Sequence, residues 1–248
     1  MNPAGLLDFE WHTPPGVCAA FTTRQGGVSE APWDSFNLGV HVNDAPAAVA
    51  ANRARLKSML SLPSEPVWLT QVHGVDVFDL DKAGDLLAPP TADAAIANER
   101  GRVCAIMVAD CLPVLFASRD GSRIGAAHAG WRGLAAGVLE KTVAALGVPG
   151  PQISAWLGPA ISREHFEVGD EVREAFVAQD AGAASAFTKN PRGKWQADLV
   201  ALARRRLETV GVTDVSGGEW CTAADRERFF SHRRDGRGGR MAALIWRV

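Results

Sequence analysis

Three apolar runs crowded between residues 103 and 129 constrain the fold most. Residues 103–109 and 112–117 are extended and apolar, Arg119-Asp120-Gly121-Ser122 has the makeup of a turn, and 123–129 returns as another strand. Further runs at 67–72 and 75–80 flank His73-Gly74, and strands are also expected at 153–157 and 241–248. Between them lie helical patterns. Asn43-Asp44 is expected to cap a helix over 45–60, a second helix covers 133–146 and closes at Gly147, and a third covers 197–210. Hairpin-length connections beside helical crossovers predict an α/β fold with a mixed sheet.

A chain of 248 residues can hold one large domain or two small ones. No internal repeat divides it. The loop candidates 81–92 and 179–193 do not have the makeup of linkers, so residues 1–248 read as one domain. Lys plus Arg total 26 against 28 for Asp plus Glu, a net charge of −2, which lacks the basic excess of a nucleic-acid or membrane-surface protein. The longest apolar run, 103–109, is far short of the ~20 residues that span a bilayer. Residues 1–11 lack the pattern of a signal peptide. The four cysteines form no CxxC pair, which excludes a compact zinc ribbon, and a chain with a core this large needs no disulfides, so they read as reduced thiols of a cytoplasmic protein.

Several groupings could carry chemistry. His73, Cys111 and His128 each fall at or just past a strand end and could meet at one sheet edge. Two His and one Cys with an open fourth position make a catalytic-zinc ligand set. The same residues also suit a nucleophilic Cys111 with a His base, or a buried thiol with two hydrogen-bonded histidines. Gly130-Trp131-Arg132-Gly133 precedes a helix and could receive an anion, or it is a plain strand-to-helix turn. Residues 23–29, with Asn37-Leu38-Gly39, could shape a pocket or form a surface turn. Residues 229–236 and Gly239-Arg240-Met241 read as a solvated charged loop, except that Ser231 and His232 adjoin aromatics suited to burial.

Taken in order, TRQGGVS at 23–29, NLGVHVND at 37–44, QVHG at 71–74, ADCLPVLF at 109–116, AAHAGWRG at 126–133, LGPAIS at 157–162 and FFSHRRDG followed by GRMAALIW resemble the YfiH-type family. Its members have been labelled laccase-domain or polyphenol oxidase proteins, purine nucleoside phosphorylases and peptidoglycan editing factors. The resemblance implies a single layered α/β domain with mixed β-sheets flanked by helices, similar to the catalytic domain of cytotoxic necrotising factors. It implies zinc, with copper as the alternative, on His73, Cys111 and His128. The implied reactions are phosphorolysis of adenosine, inosine and methylthioadenosine, and deamination of adenosine. A purine nucleoside and inorganic phosphate are then the partners of a monomer or weak homo-oligomer. Arg24 and Arg132 are candidates for phosphate. Asn37, Ser231 and His232 are candidates for substrate, although the family commonly has tyrosine where His232 stands. Asp110, beside a ligand, is the nearest candidate for proton transfer. The chain lacks the HxE…PCxxC signature of base-editing zinc deaminases. A Cys–His hydrolase or amidase acting in peptidoglycan precursor editing is the main alternative. A non-catalytic protein with a structural zinc is another. A multicopper oxidase ranks last, because none of the six histidines forms a His-x-His pair.

Overall fold

The computed structural model describes residues 5–84 and 86–248. Residues 1–4, in the segment expected to carry no leader, and Asp85, in the loop expected over 81–92, lie outside the described residues. In chain order the elements are β1 (Val17–Phe21), α1 (Pro46–Met59), β2 (Val67–Trp68), β3 (Val77–Asp79), β4 (Ala94–Ala97), β5 (Val103–Val108), β6 (Leu112–Ser118) and β7 (Ile124–Ala129). Then come α2 (Trp131–Ala136), α3 (Val138–Leu146), β8 (Ile153–Leu157), β9 (Glu167–Val168), α4 (Asp170–Val177), β10 (Phe187–Lys189) and β11 (Trp195–Ala197). The chain ends with α5 (Leu199–Thr209), β12 (Asp214–Gly217), α6 (His232–Asp235) and β13 (Met241–Arg247).

Two mixed sheets stack. One has the order β12-β8-β6-β7-β4-β3 and the other β1-β13-β5-β2; a small sheet β10-β11-β9 lies apart. Side chains alternate across the strands. In β6, Leu115 and Ala117 enter the core between the sheets, while Leu112, Val114 and Phe116 pack towards the helices. In β13, Met241, Ala243 and Ile245 face the intersheet core, and Ala242, Leu244 and Trp246 face α1 through Leu56. Both faces of these strands are covered, which is why they read as continuous apolar runs rather than alternating ones. Each fully buried Leu, Ile or Phe contributes ~1.5–3 kcal/mol. No helix among the described residues is long and apolar enough to cross a membrane.

The layered α/β arrangement with mixed sheets matches the expectation, but several boundaries differ. The 133–146 helix is two helices, α2 and α3, because Gly137 adopts φ +97° between them. Asp44 does not cap α1. The N-cap is Ala45 and has no side-chain cap, while the Asp44 carboxylate accepts from the Ala45 amide, Ser29 Oγ and Asn37 Nδ2. The 67–72 and 75–80 strands shrink to β2 and β3, because a buried carboxylate rather than a neighbouring strand receives the amides of 72–74. The 179–193 loop contains a 3-10 turn, Ala181–Ala186, and β10.

Candidate metal centre

The site forms where β5, β6 and β7 end together. Pro113 of β6 stands opposite His128 of β7, so Cys111, one residue before β6, lies at the same edge as His128. The chain turns from β5 into β6 through Asp110, at φ +92°, and the third candidate, His73, has φ +61°. Positive φ at two non-glycine residues is backbone strain of the kind held at functional sites.

Asp93, just before β4 and fully buried, organises the group. Its carboxylate accepts the backbone N–H groups of Val72 (3.1 Å), His73 (2.9 Å) and Gly74 (2.7 Å), and lies 2.8 Å from His128 Nδ1. Three successive amides cradle the anion. The same carboxylate sets the His128 tautomer, leaving Nε2 for the centre, as outer carboxylates do for metal-ligating imidazoles. Burial alone would raise the Asp93 carboxyl, but the His128 and backbone bonds outweigh it and hold it below the ordinary value.

Cys111 Sγ lies 3.8 Å from His73 Nε2, and the rings of His73 and His128 meet edge to face at 4.8 Å. One donor atom each from His73, Cys111 and His128 lie within 4.8 Å of one another, with His128 buried, Cys111 half-buried and His73 exposed. Burial pushes the Cys111 thiol up, but the imidazoles of His128 and His73 outweigh it and bring it down to about 6. Burial pushes His128 down, but the Cys111 sulfur and the Asp93 carboxylate outweigh it and lift it to about 9. A thiolate with two imidazoles, one fixed by a carboxylate, is a donor set that zinc or copper accepts.

Glycines make the close approach possible. A Cβ on Gly130 would sit 2.7 Å from His73 Cδ2 and 3.0 Å from Cys111 Sγ, and one on Gly133 would sit 2.7 Å from Gly74 O. These glycines bring α2 against the ligand loop.

The other expected site residues scatter. Asp110 is buried beside Cys111, but Thr222 Oγ1 donates to its Oδ1 (2.6 Å) and the Arg233 amide to its Oδ2 (2.7 Å). Each oxygen accepts one bond, so the carboxylate ties the strand end to the segments at 222 and 233. Arg24 pairs with Asp34 at 3.0 Å and lies over the Phe230 ring, in a separate cleft of about 690 Å³ that none of the three candidate ligands lines. Asn37 is buried and donates to Gly39 O and Asp44 Oδ2, while its Oδ1 accepts from Gly39 N and Arg240 N. With two donors and two acceptors used, it shapes a loop and has no capacity left for substrate. Ser231 is buried and its Oγ accepts from Arg234 N, capping α6. Arg132 is exposed and stacks on Trp131 at 4.4 Å, opening on a cleft with Phe166 and Lys194. His232 is exposed and lines a different cleft, about 360 Å³, with Trp33, His41 and Arg240.

Asp93 and His41 are absent from the sequence expectations, and Arg240, read there as part of a solvated loop, is half-buried. A lone acid at the head of Ala-Ala-Ile-Ala and an arginine opening an apolar strand were the available signals. His41, in the 3-10 turn Val40–Val42, is pushed below the ordinary value by burial and by Arg240, Arg53 and His128.

A family model described as multi-copper polyphenol oxidoreductase laccase matches residues 18–248. "Purine nucleoside phosphorylase YfiH" of Escherichia coli strain K12 is 54% identical over 243 residues, covering 98% of this chain and 99% of that protein. A Neisseria meningitidis crystal structure matches with TM-score 0.94 at 48% identity, over 98% of this chain and 99% of that one. YlmD from Geobacillus stearothermophilus matches with TM-score 0.90 at 30% identity, over 100% and 97%. Among the described residues, His73, Cys111 and His128 form the one grouping of three or more potential ligands, too few for several coppers. Sequence, fold and ligand geometry agree: the chain belongs to the laccase-like family of YfiH-type proteins.

Proposed function

We propose that this chain is a metal-dependent purine nucleoside phosphorylase, with zinc on His73, Cys111 and His128. It would convert adenosine, inosine and methylthioadenosine to free base and pentose 1-phosphate, and deaminate adenosine as a second reaction. The carrying observation is the convergence of the three donors over Asp93, open on the His73 side. Relatives covering nearly the whole chain bear the phosphorylase name, which points the same way. A bound metal ion with an open position polarises an oxygen or lowers the pKa of water to about 7.

The chain's own residues do the rest. Asp93 holds the His128 ring and the His73 backbone in place, so the donors need little reorganisation. Cys111 enters as a thiolate. In phosphorolysis a phosphate oxygen bonds to the sugar C1′ as the C1′–N9 bond breaks. The electron pair leaves with the purine, which takes up a proton. His232, exposed on the wall of the cleft it shares with His41 and Arg240, is the imidazole we assign to that transfer. Small soluble substrates and free thiols suit a cytoplasmic enzyme, a monomer or weak homo-oligomer, with no nucleic-acid or membrane partner.

The test is inosine with and without inorganic phosphate. Phosphorolysis requires hypoxanthine and ribose 1-phosphate to appear with phosphate alone, and equal base release without phosphate would overturn it. The contact between Cys111 and His73 favours a second reading, a Cys–His hydrolase or amidase. A chelator separates the two, because it abolishes the metal-dependent activity and leaves a cysteine hydrolase working.

A further inference from the structure

We propose that Arg240 anchors an inorganic oxyanion in the cleft beside the His73–Cys111–His128 centre. Its identity as phosphate rests on the phosphorylase reading above; its position does not.

The backbone places the residue. Arg240 directly precedes β13, whose first residue, Met241, pairs with Val108 at the end of β5. Arg240 therefore lies across from the strand end that leads through Ala109 and Asp110 into Cys111. Its amide donates to the buried Asn37 Oδ1 at 2.9 Å, and its Nη1 donates to Gly238 O (3.2 Å) and Gly239 O (3.0 Å). A Cβ on Gly39 would stand 2.8 Å from Arg240 Cγ, so the glycine leaves room for the stem. Asn37 clamps both Gly39 and Arg240, so the two sequence blocks around 39 and 240 form one support.

The guanidinium has no carboxylate in contact; the negative groups acting on it, Cys111 and Asp110, do so at longer range. Among the described residues no carboxylate oxygen lies within 4.0 Å of it, and its Nε and Nη2 make no hydrogen bond. A half-buried guanidinium with two unbonded nitrogens is costly, and a bound oxyanion satisfies them with paired, parallel donors. Arg53 adds to a positive local field, to which the His41 imidazole responds by favouring its neutral form. Arg53 donates to Leu38 O and stacks on Trp68 at 4.1 Å, and burial together with Arg240 and Arg53 holds the His41 imidazole below its ordinary value. The cleft, lined by Trp33, His41, His232 and Arg240 and by none of the three candidate ligands, holds about 360 Å³, more than an inorganic oxyanion needs; its tie to the centre is the register of β13 on β5. The two arginines that the sequence favoured for phosphate differ in kind. Arg24 already has the Asp34 carboxylate, and the cleft of Arg132 shares no lining residue with that of Arg240.

The experiment titrates zinc-loaded protein with inorganic phosphate by calorimetry and measures the phosphate KM with inosine, for wild type, Arg240→Lys, Arg240→Gln and Arg132→Lys. Arg240→Gln is expected to weaken phosphate binding at least ~10-fold, and Arg240→Lys ~3–10-fold, because lysine keeps the charge but loses the fork. Arg132→Lys should leave it within about twofold, as exposed ion contacts contribute little. Zinc content and melting temperature are read on the same samples. If Arg240→Gln fails to fold, the lysine variant decides. Phosphate that does not bind wild type, or binds Arg240→Lys unchanged, overturns the proposal, as does a shift confined to Arg132→Lys. If phosphate binds and Arg240 variants weaken it, yet inosine is never cleaved, the anion site stands and the phosphorylase reading falls.

Discussion

Among the described residues, two cysteine–histidine contacts of nearly equal length, Cys111 with His73 and Cys221 with His165, have unlike surroundings. Cys111 Sγ is 3.8 Å from His73 Nε2, and Cys221 Sγ is 3.6 Å from His165 Nδ1. The first pair has His128 as a third donor and Asp93 behind it. In the second, His165 is exposed, Ser162 Oγ lies 3.3 Å from the same Nδ1, and the Ser162 amide donates to the sulfur. Sulfur–imidazole distance does not separate the two sites. The third converging donor and the carboxylate that fixes one ring do, and both are features of metal-ligating imidazoles.

The largest expected contrast comes from removing each sulfur. Cys111→Ser should lose most bound zinc and at least ~100-fold in activity, because a thiolate ligand is gone. Cys221→Ser should keep its zinc and stay within about twofold in activity, since an exposed pair without a third donor holds no metal firmly. Elemental analysis and turnover on the same preparations check both; zinc loss in Cys221→Ser would erase the contrast.

Next comes the carboxylate. Asp93→Asn should weaken zinc ~10–100-fold, the usual effect of losing an outer-shell partner. It should also cost ~1–3 kcal/mol of stability, because amides at 72–74 lose charge-assisted bonds. A chelator competition and a thermal melt measure the two effects. Unchanged affinity would reduce Asp93 to a loop brace.

The smallest effect is one of protection. In chelated protein Cys111 is a thiolate above pH about 6, so iodoacetamide labelling at this position should fall as pH drops through that value. The sign follows from a lowered thiol pKa, with the reactive form present on the alkaline side. Zinc should suppress labelling of Cys111 and leave that of Cys221 unchanged, as peptide mass spectrometry would show.

Much of this was legible in the sequence where side-chain type and local pattern agree. β5, β6, β7 and β13 are apolar runs bounded by turns, and α5 falls within the helical pattern over 197–210. His73, Cys111 and His128 stand out because few residue types bind metal. What was not legible depends on distant partners. β1 reads as an ordinary small apolar segment until β13 pairs with it. The 133–146 pattern continues through Gly137, and only its left-handed backbone breaks the helix. Asp93 looks like one acid in an alanine-rich stretch, and its partners lie about twenty residues before it and thirty-five after it. Arg240 sits among charges that ordinarily face water, and the burial supplied by Gly39 and Asn37 gives it a different role.

X-ray absorption at the edge of the metal carried by the purified protein tests the central claim most directly. The account predicts one sulfur at about 2.3 Å and two imidazole nitrogens at about 2.0–2.1 Å around a single zinc, with a light atom in the fourth position. Two sulfurs, no sulfur, or a metal–metal distance would contradict it.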